Sequence, residues 1–70
     1  MTYDSTANAA MIYLADRIGP GQAARQQAVL LDGAEMVLDF DGDGVLLGIE
    51  VIGARETISA DVLDAAEQIG

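Results

Sequence analysis

The sequence predicts a small α+β domain, an antiparallel sheet covered by a short C-terminal helix. Apolar and polar residues alternate with period two in several segments, most clearly in residues 36–52. Clusters of Gly, Asp and Pro separate these segments. Residues 59–70 instead carry apolar side chains at helical spacing. We therefore expect a single domain over 1–70, a β-meander of about four strands with its central hairpin at 36–52.

The first strands come before a Gly-Pro-Gly loop. Residues 2–3 begin a short strand and residues 4–8 favour a turn. Residues 9–15 form the next predicted strand, with apolar side chains on both faces. One face carries Ala10, Ile12 and Leu14, and the other carries Met11 and Tyr13.

The segment after the loop at 16–21 permits two structures. Residues 22–27 have helix propensity, but they run directly into an apolar stretch typical of a strand. We interpret 22–31 as extended, followed by a turn at Asp32-Gly33.

The central hairpin has its predicted tip at Gly42-Asp43. That register pairs apolar residues on one face. The pairs are Phe40 with Val45, Leu38 with Leu47, and Met36 with Ile49. It also places Glu35 opposite Glu50, an unfavourable like-charge pair. Gly48 in mid-strand indicates a bulge or a close backbone approach.

The predicted C-terminal helix begins at Ser59 as N-cap and ends before Gly70. Asp61 lies in the first turn, where the helix dipole favours an acid, and Ile58 and Leu63 fit a hydrophobic staple. An apolar stripe is expected to cover the sheet. It consists of Val62, Leu63, Ala66 and Ile69.

The acidic turn also matches the calcium loop of an EF-hand. That loop needs oxygen ligands at positions one, three and five, glycine at six and a bidentate Glu at twelve. The matching residues are Asp39, Asp41, Asp43, Gly44 and Glu50. This alternative defines a candidate metal site of Asp39, Asp41, Asp43 and Glu50.

The flanking sequence favours the hairpin over the calcium loop. An EF-hand needs a helix on each side, yet residues 36–40 alternate with period two and residues 51–53 are β-branched and then glycine. Loop position nine is Leu47, which has no side-chain oxygen. In a hairpin Glu50 lies about 20 Å along the strand from the turn, so we expect it far from the three aspartates. We therefore predict no metal site and no cofactor.

Composition limits how the domain is stabilised. The chain has no Cys or His and only one Phe and two Tyr, although 51% of its residues are hydrophobic. Disulfides and the usual zinc sites are excluded, and a chain of this length buries only about 60% of its unfolded surface. Self-association is a remaining route to stability, so we expect a homodimer.

The formal charge of -9 limits the classes of molecule that the chain is expected to bind. The basic residues are Arg17, Arg25 and Arg55, which we expect to offset nearby acids. Nucleic acids and anionic membranes are held by clustered cations, so neither is an expected partner. A basic protein partner is compatible with the charge. No apolar run spans a bilayer and no signal-peptide pattern is visible, so we expect a cytoplasmic protein.

Catalysis is not predicted. Without His, Cys or Lys, no base is available to activate Ser5 or Ser59, which fit a turn and a cap. Glu35 and Glu50 are interpreted as a mild repulsion rather than an acid–base pair. Tyr3 and Tyr13 are expected to pack at the edge of the core.

Two segments, residues 3–14 and 38–51, resemble the bacterial domain-of-unknown-function 2283 family. The shared features are Tyr-Asp before an acidic turn and strand, and Asp-aromatic-Asp leading into Gly-Ile-Glu. The chain departs from the pattern at Asn8, where Asp is common, and at Ala10 and Met11, where larger side chains are common. The resemblance implies a small β-rich domain with antiparallel strands and no known activity.

Two functions remain open on the sequence. The first is an acidic, non-catalytic interaction module that self-associates, in one version an antitoxin-like partner of a small basic protein. The alternative is a calcium-binding module using the Asp39–Glu50 loop.

Overall fold

The computed structural model describes residues 1–16 and 18–70. Within these residues the chain forms six strands and two short helices. The strands are β1 (Thr2–Asp4), β2 (Ala9–Tyr13), β3 (Arg25–Leu31), β4 (Ala34–Phe40), β5 (Leu46–Ile52) and β6 (Glu67–Gln68). The helices are α1 (Ala54–Thr57) and α2 (Ala60–Ala65).

The strands form one mixed sheet in the order β3-β4-β5-β2-β1-β6. Strands β3, β4 and β5 are a meander, and β5 then pairs antiparallel with β2, which pairs antiparallel with β1. Strand β6 pairs parallel with β1. The α+β class is therefore confirmed. The predictions of about four strands, of a purely antiparallel sheet and of a simple meander were wrong.

The difference arises because β2 and β3 are not neighbours. The long connection between them carries the chain across the sheet, so β2 lies in the interior between β1 and β5. The predicted strand at 9–15 ends at Tyr13, and the extended segment predicted at 22–31 is a strand from Arg25 onward. The strand interpretation of this second segment is confirmed.

The hairpin predicted at 36–52 is confirmed, with a different register. Leu38 lies opposite Ile49 rather than Leu47, and Met36 lies opposite Val51 rather than Ile49. The connection is longer than a two-residue tip, and a bulge interrupts the pairing between Asp39 and Phe40. Because the shift near Leu38 is an even number of residues, the apolar side chains remain on one face.

One face of the sheet, here called the helix face, packs against α1 and α2. Its buried cluster is Tyr3, Ala10, Val51, Ala54 and Leu63, and partly buried residues such as Met36 and Ile49 extend it. Val51 and Ala54 have no exposed surface. The core is therefore small and mostly aliphatic, as the composition predicts.

The C-terminal helix differs from the prediction. A first helix, α1, precedes Ser59, and α2 ends at Ala65 before β6. Leu63 is buried and Ile58 packs against the core, as the staple predicts. Val62 and Ile69 are exposed, so they do not belong to the covering stripe. The stripe prediction is correct only for Leu63 and Ala66.

The opposite face, here called the loop face, lies under the connection between β2 and β3. Ile18 of this connection lies above Gly48: a Cβ built on Gly48 would be 3.3 Å from Ile18 Cδ1. The same Cβ would lie 2.7 Å from Met11 Cε and 2.8 Å from the Ile12 carbonyl oxygen. The predicted close approach at Gly48 is therefore confirmed.

Neither helix within residues 1–16 and 18–70 has the length and apolar character needed to cross a bilayer.

Candidate functional site

The acidic turn between β4 and β5 is organised by Asp41. Its carboxylate accepts hydrogen bonds from the backbone N–H groups of Asp43 at 2.9 Å and Val45 at 3.0 Å. The Asp41 N–H also donates to the Val45 carbonyl at 2.9 Å, and Gly44 has a φ of 84°. The aspartate thus satisfies the amides of a turn that glycine makes sterically possible.

Two acidic residues, Asp39 and Glu50, lie together on the loop face beside this turn. Asp39, at the end of β4, is only 3% exposed. Gln26 on β3 is its direct cross-strand partner and donates to Asp39 Oδ1 at 2.6 Å and to Glu50 Oε2 at 3.3 Å. Gln26, Asp39 and Glu50 are hereafter the Gln–Asp–Glu cluster.

The expectation that Glu50 lies far from all three aspartates was wrong. Glu50 faces Val37 and Asp39 faces Gly48, which makes Asp39 and Glu50 diagonal neighbours on the same face. The longer turn and the bulge bring Glu50 two positions closer to Asp39 than the predicted register allows. The predicted Glu35–Glu50 pair is also wrong, because Glu35 lies opposite Ile52.

The pKa of Glu50 is raised above its ordinary value. The main cause is a hydrogen bond shared with the Asp39 carboxyl group, and burial and the negative charge of Asp39 act in the same direction. Each of these favours the protonated form of Glu50. The pair can therefore retain a proton at pH values where an isolated glutamate has lost it.

This raised pKa predicts a pH-dependent stability. A carboxyl group whose pKa is raised on folding contributes stability below its unfolded pKa and loses it as the pH rises through the folded pKa. We expect Glu50→Gln to stabilise the domain at about pH 7, by about 0.5 kcal/mol as for other like-charge neighbours on a sheet. The gain should shrink toward about pH 4.

Urea unfolding of Glu50→Gln and of the wild type across this pH range measures the effect. Glu67→Gln, which removes the same charge from an exposed position on β6, is the matched control. A pH-independent difference for Glu50→Gln, or an equal gain in the control, would contradict the interpretation of the cluster.

The Gln–Asp–Glu cluster opens onto a groove of about 470 Å³ on the loop face. Apolar side chains of β2 and of the β2–β3 connection supply part of its remaining lining. They include Met11, Tyr13 and Ile18. The groove thus combines the carboxyl groups of Asp39, Glu50 and Asp4 and the amide of Gln26 with an apolar lining.

The structure on both sides of the acidic turn differs from that of an EF-hand calcium site. Residues on both sides of the turn form strands β4 and β5, where an EF-hand has helices. Asp41 already binds the amides of its own turn. Within the described ranges 1–16 and 18–70, no three acidic side chains are grouped so that they could hold a metal ion.

The sequence also singled out two serines and two tyrosines, and the structure gives each its surroundings. Ser5 Oγ donates to the Gly70 carbonyl at 3.0 Å, and Ser59 precedes α2 without a side-chain cap hydrogen bond. Tyr3 is buried in the core, whereas Tyr13 is 45% exposed. Of these residues, Tyr13 also lines the groove beside the Gln–Asp–Glu cluster.

The arginines have different surroundings. Arg25 lies over the Phe40 ring, 5.2 Å from its centroid. Arg55 donates to Tyr3 Oη at 3.3 Å and to the Ser5 carbonyl at 3.0 Å. The pKa of Glu56 is lowered, mainly by a hydrogen bond from the Asn8 side chain, and the charge of Arg55 acts in the same direction. Arg17 lies outside the described residues.

A feature that sequence reasoning missed is the open edge of the sheet at β3. All seven residues of this strand are exposed. The period-two pattern identifies the strand but not its place in the sheet order. Nothing in the local sequence distinguishes an edge strand from the interior strand β2.

These features define a small α+β domain with a mixed sheet, a polar cluster on one face and an open apolar edge. The model of the family described as "Protein of unknown function (DUF2283)" matches residues 1–55, and the chain belongs to this family. The match includes β1 to β5, so α2 and β6 lie beyond it. Comparisons with curated proteins and with solved structures gave no match.

Proposed function

We propose that the chain is a non-catalytic protein–protein interaction module that self-associates. The observation that carries the proposal is the exposure of apolar side chains on β3. Leu30 is 77% exposed, Leu31 43% and Val29 39%. Adjacent apolar side chains left in water favour association, because their burial in an interface is the main driving force for binding.

The small core supports self-association. Six apolar residues are buried among the described residues, and they include two alanines. A domain of this size buries a small fraction of its surface and gains from covering more of it. The absence of cysteine removes the disulfides that stabilise many small secreted domains, which also favours a cytoplasmic location.

The contacts of the polar residues support a non-catalytic role. Gln26 donates hydrogen bonds to both Asp39 and Glu50. Ser5 donates its hydroxyl hydrogen to a backbone carbonyl. The sequence offers no His, Cys or Lys to act as a base or nucleophile.

Measurement of molar mass tests self-association. Light scattering over a dilution series should give twice the chain mass of 7.3 kDa at high concentration and a fall toward that mass on dilution. A mass of one chain at every concentration would contradict the proposal.

The net charge of -9 favours a basic protein as a further partner, as in the antitoxin-like version. Capture on the tagged chain at low salt should recover a basic protein that is released at high salt, because screening weakens attraction between exposed charges. A variant carrying Asp61→Asn and Asp64→Asn, both exposed on α2, is the charge control. Recovery of the chain alone would contradict this version without affecting self-association.

A further inference from the structure

We infer that β3 is the surface through which the chain self-associates. It pairs antiparallel with β3 of a second copy about a two-fold axis at Ala28, and the two sheets become one continuous sheet. This inference rests on the proposed function, and it names the partner and the contact.

The edge at β3 lacks the features by which edge strands are usually protected. Proteins block such pairing with charged side chains, proline, bulges or very short strands. Strand β3 has seven residues, contains no proline or acid, and ends in the apolar run 28–31; its one charged residue, Arg25, stands at its first position. Its pairing with β4 proceeds without a register shift. The opposite edge, β6, has only two residues.

The turn at Asp32-Gly33 determines which backbone groups of β3 point outward. Leu31 and Ala34 are cross-strand partners flanking this two-residue turn, so they form a hydrogen-bonded pair. Hydrogen-bonded and non-hydrogen-bonded pairs alternate along an antiparallel ladder. The odd-numbered residues of β3 therefore bond to β4, and Gln26, Ala28 and Leu30 direct their N–H and C=O groups away from the sheet.

The β3 strand of a second copy can form hydrogen bonds with these outward N–H and C=O groups along its full length. A two-fold axis perpendicular to the sheet at Ala28 places Ala28 opposite its own copy and Gln26 opposite Leu30. Residues 25–31 of one copy then overlap residues 25–31 of the other. The three outward residues of each strand supply about six intermolecular hydrogen bonds. The small Ala28 side chains meet at the axis without a clash.

Charge favours β3 over other surfaces for contact between two acidic chains. The twelve acidic residues all lie outside β3. Like-charge contacts between identical chains oppose association elsewhere on the surface. In the pairing about Ala28, Arg25 of each copy lies opposite Leu31 of the other and next to the acidic turn at Asp32. The edge therefore meets its own copy with no acid opposite another acid.

A single cysteine at the axis tests the register directly, since the chain has none of its own. In an antiparallel hydrogen-bonded pair the Cα atoms lie about 5.5 Å apart, within the range that a disulfide spans. Ala28→Cys should form a covalent dimer under mild oxidation. The control, Ala7→Cys, is exposed in the β1–β2 turn at the other side of the sheet and should remain mostly uncrosslinked.

A second variant measures the contribution of the edge. Ala28→Pro removes an N–H that points away from β4, a position where an edge strand tolerates proline. Two intermolecular hydrogen bonds are lost, which should raise the dimer dissociation constant about 30-fold. Circular dichroism of the variant checks that the monomer remains folded.

The outcomes separate this inference from the proposed function. A dimer that crosslinks through Ala28→Cys and is weakened by Ala28→Pro supports both. A dimer that crosslinks no faster than the Ala7→Cys control overturns the β3 interface and leaves self-association through another surface. A wild-type mass of one chain at all concentrations overturns both. If Ala28→Pro does not fold, the crosslinking comparison still decides.

Discussion

Replacing Leu63 with alanine should destabilise the domain by about 2–4 kcal/mol. Leu63 is 4% exposed and belongs to the buried cluster with Tyr3 and Val51. Truncation removes the apolar contacts of the side chain and leaves a cavity between α2 and the sheet. For a small domain this is a large part of the total stability. Urea or thermal unfolding of the purified variant measures the loss.

Val62→Ala is the matched control for Leu63→Ala. Val62 lies in the same helix and belongs to the same apolar stripe of the sequence, but it is 49% exposed. Its truncation should change the stability by less than about 0.5 kcal/mol. Equal losses in the two variants would show that α2 does not pack through Leu63. A small loss in both would show that the segment after residue 55 is not part of the core.

Adding one methyl group at Gly48 should destabilise the domain by about 2–3 kcal/mol. In Gly48→Ala the new Cβ would lie 2.8 Å from the Ile12 carbonyl oxygen, closer than carbon and oxygen atoms approach. That oxygen belongs to the backbone of the paired strand β2, so relief requires the strands to separate. The Met11 side chain at 2.7 Å would also have to move.

Gly42→Ala separates this steric effect from the general effect of replacing glycine. A Cβ at Gly42 would have no atom within 4 Å, and its φ lies outside the left-handed region. We expect a change within about 0.5 kcal/mol of zero. Unfolding of both variants in denaturant provides the comparison. A neutral Gly48→Ala would contradict the close approach of β2 and β5.

The hairpin was predictable because alternation depends only on the local pattern of apolar residues. Its register was not, because two features that the alternation does not reveal change it. Asp41 extends the turn by accepting two backbone hydrogen bonds, and a bulge lies just before the turn at Asp39 and Phe40. Each shifts the pairing by one residue. The two shifts together are even, so Met36 and Leu38 stay on the predicted face but have different partners.

The C-terminal segment was predicted less well, because long-range contacts determine it. Helix α1 begins where the Asn8 carbonyl accepts the N–H groups of Gly53 and Ala54, and the Asn8 side chain accepts that of Arg55. The N-cap of α1 is Gly53, which has no side chain to cap the helix. Helix α2 ends where the chain begins to pair with β1 as β6, although residues 66–69 still fit a helical stripe.

The candidate site was also only partly predictable, because strand pairing determines which of its residues lie together. The acids Asp39 and Glu50 were recognised from the calcium pattern, but their proximity depends on the register of the hairpin. The role of Gln26 depends on the pairing of β3 with β4, which places it opposite Asp39. The sequence marks Gln26 only as one of several polar residues in an ambiguous segment.

The parallel pairing of β6 with β1 determines where attached sequences would project. Thr2 pairs with Glu67, and Ser5 donates a hydrogen bond to Gly70, so residues 1 and 70 lie at the same margin of the sheet. This margin is the one opposite β3. A protein fused to either end would be attached at this margin rather than beside Ala28, so two copies joined at β3 would carry their fused proteins at opposite margins of the shared sheet.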